Sequence, residues 1–481
     1  MRAHCVGEGG NLGLTQLGRI EYAMRGGRIN TDFIDNSAGV DTSDHEVNIK
    51  VLLTSEVAAG RLSVAERDDF LASMTDEVAE HVLAHNYDQN LALANATLQS
   101  ASMARVHQDW LDRLEERGLL DREIEFLPGT EEMNRRRSAG QGLTSPELAT
   151  LFAYTKIVLE DEILASTLPD DPFLVDRLVD YFPSAMRERY ADLMAGHRLH
   201  REIIVTVVVN EFVNTAGITC FHRLSGETGA GAADLIRAHI AARSIFGAAD
   251  LERGIRDLDH RIDAEVQTRL RLEVRTLVER ATRWLVNNRR RPIDIGSATE
   301  QFAGVQAVQA GLPRSLGERE AGLLDKRQAG YVSAGVPVDL ATAIAALPAA
   351  YAALSIVQTA SRSGLDVLRV ADVHFTLGQR LGLDRLLGRI SELPRKDRWQ
   401  TMARAALRDD LHAVHAQLVG EVLSLDRGAD THARDLVSSW ERDNPEAADS
   451  ITTLQAICSG PAELARVSVG LRVVRGLLAA S

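Results

Sequence analysis

Apolar positions recur at helical spacing over most of the chain. From Ile262 they fall at Val266, Leu270, Val274, Leu277, Val278, Ala281 and Leu285, one stripe of a long amphipathic helix. Leu148, Leu151, Phe152, Thr155, Val158 and Leu159 repeat the pattern. Hydroxyl and carboxylate residues three apart, at Ser63/Glu66, Thr144/Glu147 and Ser297/Glu300, predict helix starts. In such a pair the hydroxyl accepts a first-turn N–H and the carboxylate reaches back to the cap. Strand signals are confined to the opening of the chain. Ala3-His4-Cys5-Val6 is short and apolar and breaks at Gly7, and Arg28 to Asp35 alternates weakly after Gly26-Gly27. Thr15 to Met24 reads as a helix between them. The pattern predicts a mainly α protein: a β–α–β opening, then helices almost throughout after Ser43.

Turn residues divide the helical pattern. Asp121 to Phe126 is polar and irregular, and Pro128-Gly129, Arg135-Arg136-Arg137 and Gly140-Gln141-Gly142 follow. A linker is expected there, with further breaks at Arg289–Pro292 and around Gly311 to Gly335. No fixed-period repeat is visible.

Composition narrows the function. The chain has 481 residues, enough for a large core without disulfides or metals. Its 68 acidic against 54 basic residues give a net charge of −14. That balance opposes nucleic-acid or anionic-membrane binding. Cys5, Cys220 and Cys458 are too sparse for a disulfide framework or a zinc site, and a reducing cytoplasm fits them. The longest tight apolar run, Ile203 to Val209, falls far short of the ~20 residues of a membrane span.

Candidate chemistry begins with Gly7-Glu8-Gly9-Gly10-Asn11-Leu12-Gly13, between strand and helix. Gly7, Gly9 and Gly13 fit a loose dinucleotide fingerprint, with Asp32 and Asp35 about 20 residues on. A complete nucleotide-binding sheet needs more strands than follow, so the glycines read first as a tight turn. Asn36 to Ser43 places small residues before a helix expected near Asp44. Backbone N–H groups at a helix start can hold a carboxylate, with the Ser43 hydroxyl as a further donor; on spacing alone Ser43 reads as a simple cap. Asp41, Asp44, His45 and Glu46 cluster as metal ligands could, but acids complementing the helix dipole explain Asp44 and Glu46 more simply. His197 and His200, beside Arg198 and Arg201, read as a solvated or phosphate-facing basic helix edge, and the two arginine triplets as solvated loops. Cys220 reads as a buried, inert thiol.

The stretch from Gly7 to Ala23, then Gly26-Gly27-Arg28-Ile29-Asn30-Thr31-Asp32 and Ile34 to Lys50, resembles the catalytic region of the large-subunit bacterial NAD-specific glutamate dehydrogenases. Likeness continues through Asn86-Tyr87-Asp88-Gln89-Asn90, Gly142 to Leu148, Leu168 to Pro172, His197 to Ile204, Arg280 to Leu285 and Ala406 to Leu411. It covers nearly the whole chain, more loosely toward its end.

The resemblance implies a Rossmann-like remnant over 1–135 and a large multi-helix domain over 143–481. It implies NAD as cofactor and L-glutamate, oxidatively deaminated to 2-oxoglutarate and ammonia, as substrate. By the same resemblance Asn11 faces the nicotinamide, Gly39 and Val40 contact substrate, and Ser43 binds its distal carboxylate. Ser37 and Ala38 depart from the family's Ala and Gly, and Asp44-His45 replaces the aromatic pair of the small enzymes. The family's polarising lysine, general acid/base aspartate and pyrophosphate loop match no position here and are expected upstream. The chain alone is therefore expected to be inactive, and its first strand to keep an unpaired edge. Expected partners are further copies of the chain or an upstream catalytic polypeptide, with no nucleic acid, membrane or metal. The alternative reading is a free-standing helical interaction or regulatory protein that keeps a degenerate catalytic remnant.

Overall fold

A computed structural model describes residues 2–395, 397–426 and 431–479. Its only strands among the described residues are β1 (Cys5–Val6) and β2 (Arg28–Ile29). They pair in parallel, Cys5 opposite Arg28 and Val6 opposite Ile29. Helix α1 (Gln16–Met24) makes the crossover that a parallel pair requires. Thr15 starts it, its hydroxyl accepting the Gly18 N–H at 3.1 Å. Gly27 closes the return: a Cβ there would stand 2.2 Å from the Tyr22 ring.

The weak alternation from Arg28 stops at Ile29. Asp32–Asp35 instead form a short helix, α2. Both end carboxylates turn back toward the first loop, Asp35 accepting the Glu8 N–H at 2.9 Å and Asp32 that of Leu12 at 3.4 Å. Such side-chain-to-backbone bonds compete with extending a ladder. Helix α3 (Ser37–Ala58) then begins at Ser37, not near Asp44.

Helix α4 (Val64–Ser73) carries the expected capping box. Glu66 N–H donates to the Ser63 hydroxyl at 3.2 Å, and Ser63 N–H to the Glu66 carboxylate at 2.8 Å. A 42-residue helix, α5 (Thr75–Glu116), follows. The expected linker holds a helix, α6 (Thr130–Ser138), and its arginine triplet forms the last turn. Arg136 is buried, 2.7 Å from Glu132 and 2.8 Å from Glu147. Helix α7 (Ser145–Leu164) buries Leu148, Leu151, Phe152, Thr155, Val158 and Leu159, as the stripe predicts. At its start both the N–H and the hydroxyl of Thr144 donate to Glu147, each at 2.7 Å. Trp110 of α5 is buried against α7, its indole N–H donating to Thr155 at 2.8 Å.

Residues 1–240 with 290–295 pack as one unit, and 241–289 with 296–481 as another. In the second unit the predicted long helix spans Ala264–Asn288, opened by Asp263, which accepts the Glu265 N–H at 2.7 Å. Leu270, Val274, Leu277, Val278, Ala281 and Leu285 are buried along it. Each such aliphatic side chain larger than alanine contributes about 1.5–3 kcal/mol by leaving water. Ser297 lies inside the helix Ile295–Gln301 and starts nothing. The Gly311–Gly335 region is helical as well, over Val305–Ser315 and Glu318–Ser333. Arg289 packs over the rings of Trp284 and Phe302, 5.6 and 4.7 Å from their centroids, so that arginine run is not wholly solvated. No single described helix is long and apolar enough to cross a membrane.

Candidate functional site

The candidate residues lie after the carboxyl ends of the two parallel strands. Asn11 sits in the β1–α1 loop, and Gly39, Val40 and Ser43 on the helix that follows β2 and α2. Ligands of open α/β sheets collect at that end. Asn11 and Leu12 both have positive φ, 59° and 60°, a conformation that Asn tolerates better than Leu. Asn11, Gly39, Val40 and Ser43 are all exposed.

A network beneath holds these loops in place. Arg19, 1% exposed, is paired with Glu8 and donates to the Asn30 carbonyl at 3.2 Å. Glu8 also accepts the Gly13 N–H at 2.8 Å, folding the glycine loop over the salt bridge. The Asn30 amide donates to Asn90 at 2.7 Å, and the Ser145 hydroxyl donates to Asn30 at 2.8 Å. Asn86 donates to the Ile34 carbonyl at 2.8 Å and to the Ser37 hydroxyl at 2.9 Å, clamping the α2–α3 joint. That clamp is why α3 starts early.

The early start moves the site. Ser43 is two turns inside α3 and caps nothing. The helix's first N–H groups belong to Ser37 and Ala38. The Gly39 N–H is already donated to the Asn36 carbonyl at 3.2 Å. Gly39 and Ser43 stand one turn apart, on one face. A Cβ on Gly39 would come 3.0 Å from the Asn36 side-chain oxygen, so glycine keeps the surface before Ser43 open.

A second group converges behind this face. Asp41 accepts from His85 at 2.8 Å and lies 3.7 Å from His45. His45 is fully buried, stacked on Tyr181 at 4.3 Å, with neither ring nitrogen hydrogen-bonded. Burial pushes its pKa down to about 4, against Asp41, so the ring is neutral at pH 7. The bond to Asp41 raises His85. Burial lowers Lys156 of α7 to about 7, although Glu160, Asp41 and Asp88 oppose it. Lys156 therefore changes charge near neutrality, beside a His85 ring that Asp41 favours in its charged form. Asp41, His45 and His85 offer atoms within 4.8 Å of one another and could face one cation, but the Lys156 ammonium acts on the same carboxylate and competes with it. Of the four residues grouped by sequence, only Asp41 and His45 meet; Glu46 pairs with Lys50 instead. His85 and Lys156 were missed because nothing local marks them. His197 is a buried ring, its Nε2 2.9 Å from the Asn48 carbonyl, rather than part of a solvated edge.

Two family models match in order along the chain. "Bacterial NAD-glutamate dehydrogenase, catalytic domain" matches residues 1–96, and "Glutamate dehydrogenase, C-terminal" matches 140–476. The chain belongs to the bacterial NAD-specific glutamate dehydrogenase family. It is 42% identical over 479 residues to the NAD-specific glutamate dehydrogenase of Mycobacterium tuberculosis, covering 99% of this chain and 29% of that protein. It is 41% identical over 429 residues to those of Halomonas elongata and Pseudomonas aeruginosa, covering 89% of this chain and 26% of each relative. The chain thus spans under a third of the length of these glutamate dehydrogenases.

Proposed function

We propose that these residues form part of a machine that deaminates L-glutamate to 2-oxoglutarate and ammonia, passing a hydride to NAD. Asn11 faces the nicotinamide. Gly39 and Val40 contact the substrate, and the Ser43 hydroxyl donates to its distal carboxylate. The polarising lysine, the general acid/base aspartate and the pyrophosphate loop come from residues outside these 481. Residues 1–135 are the end of the catalytic domain, and 143–481 a helical domain that buttresses it and joins subunits. That division follows the order of the family matches rather than the packing units. The chain works in the cytoplasm, with further copies of itself or an upstream catalytic polypeptide as partner.

The observation that carries this reading is the placement of Asn11, Gly39, Val40 and Ser43 after the carboxyl ends of adjacent parallel strands, in a chain whose family matches run in catalytic order. The test is NADH formation from L-glutamate and NAD. The purified chain is expected to form none, and a mixture with the upstream region of a family member to form it. Turnover by the chain alone would overturn the division of labour. No turnover in the mixture, together with no binding of NAD or 2-oxoglutarate to it, would favour the helical regulatory protein instead.

A further inference from the structure

We propose that the second unit holds a binding site for a small oxyanion, a phosphate or a carboxylate compound, gripped by Arg280 and Arg408. A cavity of about 350 Å³ opens there, lined by Arg280, Arg327, Arg408, Tyr351, Thr276 and Ser391 among others. That volume suits a small metabolite. Its charges do not balance. Arg327 is answered by Glu273 at 2.9 Å. Arg408 is only 8% exposed, and its Nε has no hydrogen-bond partner. Asp409 stands 3.8 Å from it and is shared with Arg283 at 3.4 Å. Among the described residues, no carboxylate is within ion-pair distance of Arg280.

Burial, then Arg408 and Arg283, push Arg280 down to about 10, against weaker pulls from Tyr351 and Glu279. Arg404 is likewise lowered to about 10 by burial, Arg395 and Arg408. His412 adds no charge: burial, His415 and the two arginines push it down to about 3. Guanidinium groups removed from water normally acquire a counter-charge. Here Arg280 has none within ion-pair distance and Arg408 shares Asp409 with Arg283, in a chain whose net charge is −14. The planar fork of arginine matches a carboxylate or phosphate edge, and the hydroxyls of Thr276, Ser391 and Tyr351 supply further donors around the same space.

The test uses the full chain. Thermal unfolding and calorimetric titration are run with inorganic phosphate, with succinate, and with sodium chloride at equal ionic strength. Saturable binding of phosphate or succinate is expected, with a rise in unfolding temperature beyond that in chloride. Phosphate alone binding assigns a phosphate compound, and succinate alone a dicarboxylate. Arg280→Gln is expected to weaken binding at least tenfold, yet to be no less stable than the parent in chloride, because it removes a repulsion. A merely structural arginine would lower stability in both salts. Arg408→Gln should behave alike; if it fails to fold, the less deeply buried Arg280 still decides. The proposal fails if chloride stabilises equally, if neither probe saturates, or if Arg280→Gln binds like the parent.

Discussion

Arg19 and Arg280 are both withdrawn from water, but their surroundings differ. In the first unit Arg19 meets Glu8 and the Asn30 carbonyl, and the network continues to Asn90 and Ser145. In the second unit Arg280 lines a cavity together with Arg408, and Arg283 adds a third positive charge from the next turn of its own helix. A satisfied buried network fixes a geometry before any ligand arrives. An unsatisfied cluster stores a cost that a ligand of opposite charge relieves. The first arrangement suits the rigid floor of a catalytic cleft, the second a site whose stability depends on occupancy.

The sharpest way to break this contrast is to remove one guanidinium from each unit. Arg19→Gln leaves the partly buried Glu8 carboxylate without its partner and frees the glycine loop that Glu8 holds through the Gly13 N–H. A loss of about 3–5 kcal/mol is expected for the first unit, read by denaturant unfolding. Arg280→Gln in chloride should cost nothing. Equal losses would mean that the two arginines are equally well paired.

The units should also part in acid. In the second, His374 and His415 stack at 3.8 Å, and the His415 Nε2 lies 3.0 Å from the His374 carbonyl. Burial lowers both, His415 from 6.5 to about 4. The unfolded chain therefore takes up protons below pH 6.5 that the folded rings refuse. Stability is full above that pH and is lost as pH falls from 6.5 toward 4. His415 alone should account for about 3 kcal/mol of that loss. His415→Asn should flatten the acid limb of a stability-against-pH curve for the second unit. In the first unit His45, His81 and His197 are lowered but His85 is raised and offsets part of the loss, so its limb should be shallower. An unchanged limb in His415→Asn would remove histidine burial as the cause.

What could be read from the sequence follows how local each cause is. The stripe from Val266 to Leu285 and the buried face from Leu148 to Leu159 follow from spacing alone, and both appear as read. The Ser63/Glu66 box closes within one turn and appears too, whereas Ser297/Glu300 has the same spacing but sits inside a helix. The start of α3 was misread because Asn86, some 50 residues away, clamps Ser37. Arg136 read as solvated because its partner Glu147 is set by packing of α7. The Asp41–His85 pair spans 44 positions, and the arginine cavity joins helices more than 100 residues apart. Motif spacing carries no trace of either.

A smaller effect separates local from long-range satisfaction in the first unit. Ser63→Ala removes one cap acceptor while Glu66 still accepts from the Ser63 N–H. About 1 kcal/mol should be lost, against the larger cost at Arg19. A loss as large as that of Arg19→Gln would show the capping box to be tied into the wider network.

The smallest expected effect is at the proposed site itself. Ser43 is exposed, lies inside α3 and caps nothing. Ser43→Ala should change stability by no more than about 0.5 kcal/mol, since surface changes away from caps and networks rarely do more. If its hydroxyl donates to the substrate's distal carboxylate, the same change should weaken 2-oxoglutarate binding by the complete enzyme by about tenfold, the worth of one charge-assisted hydrogen bond. The two numbers must diverge. A residue built into the fold would move both together, and one that merely faces solvent would move neither. Only a ligand contact resting on a floor fixed by Arg19, Asn30 and Asn86 gives a large change in binding with almost none in stability.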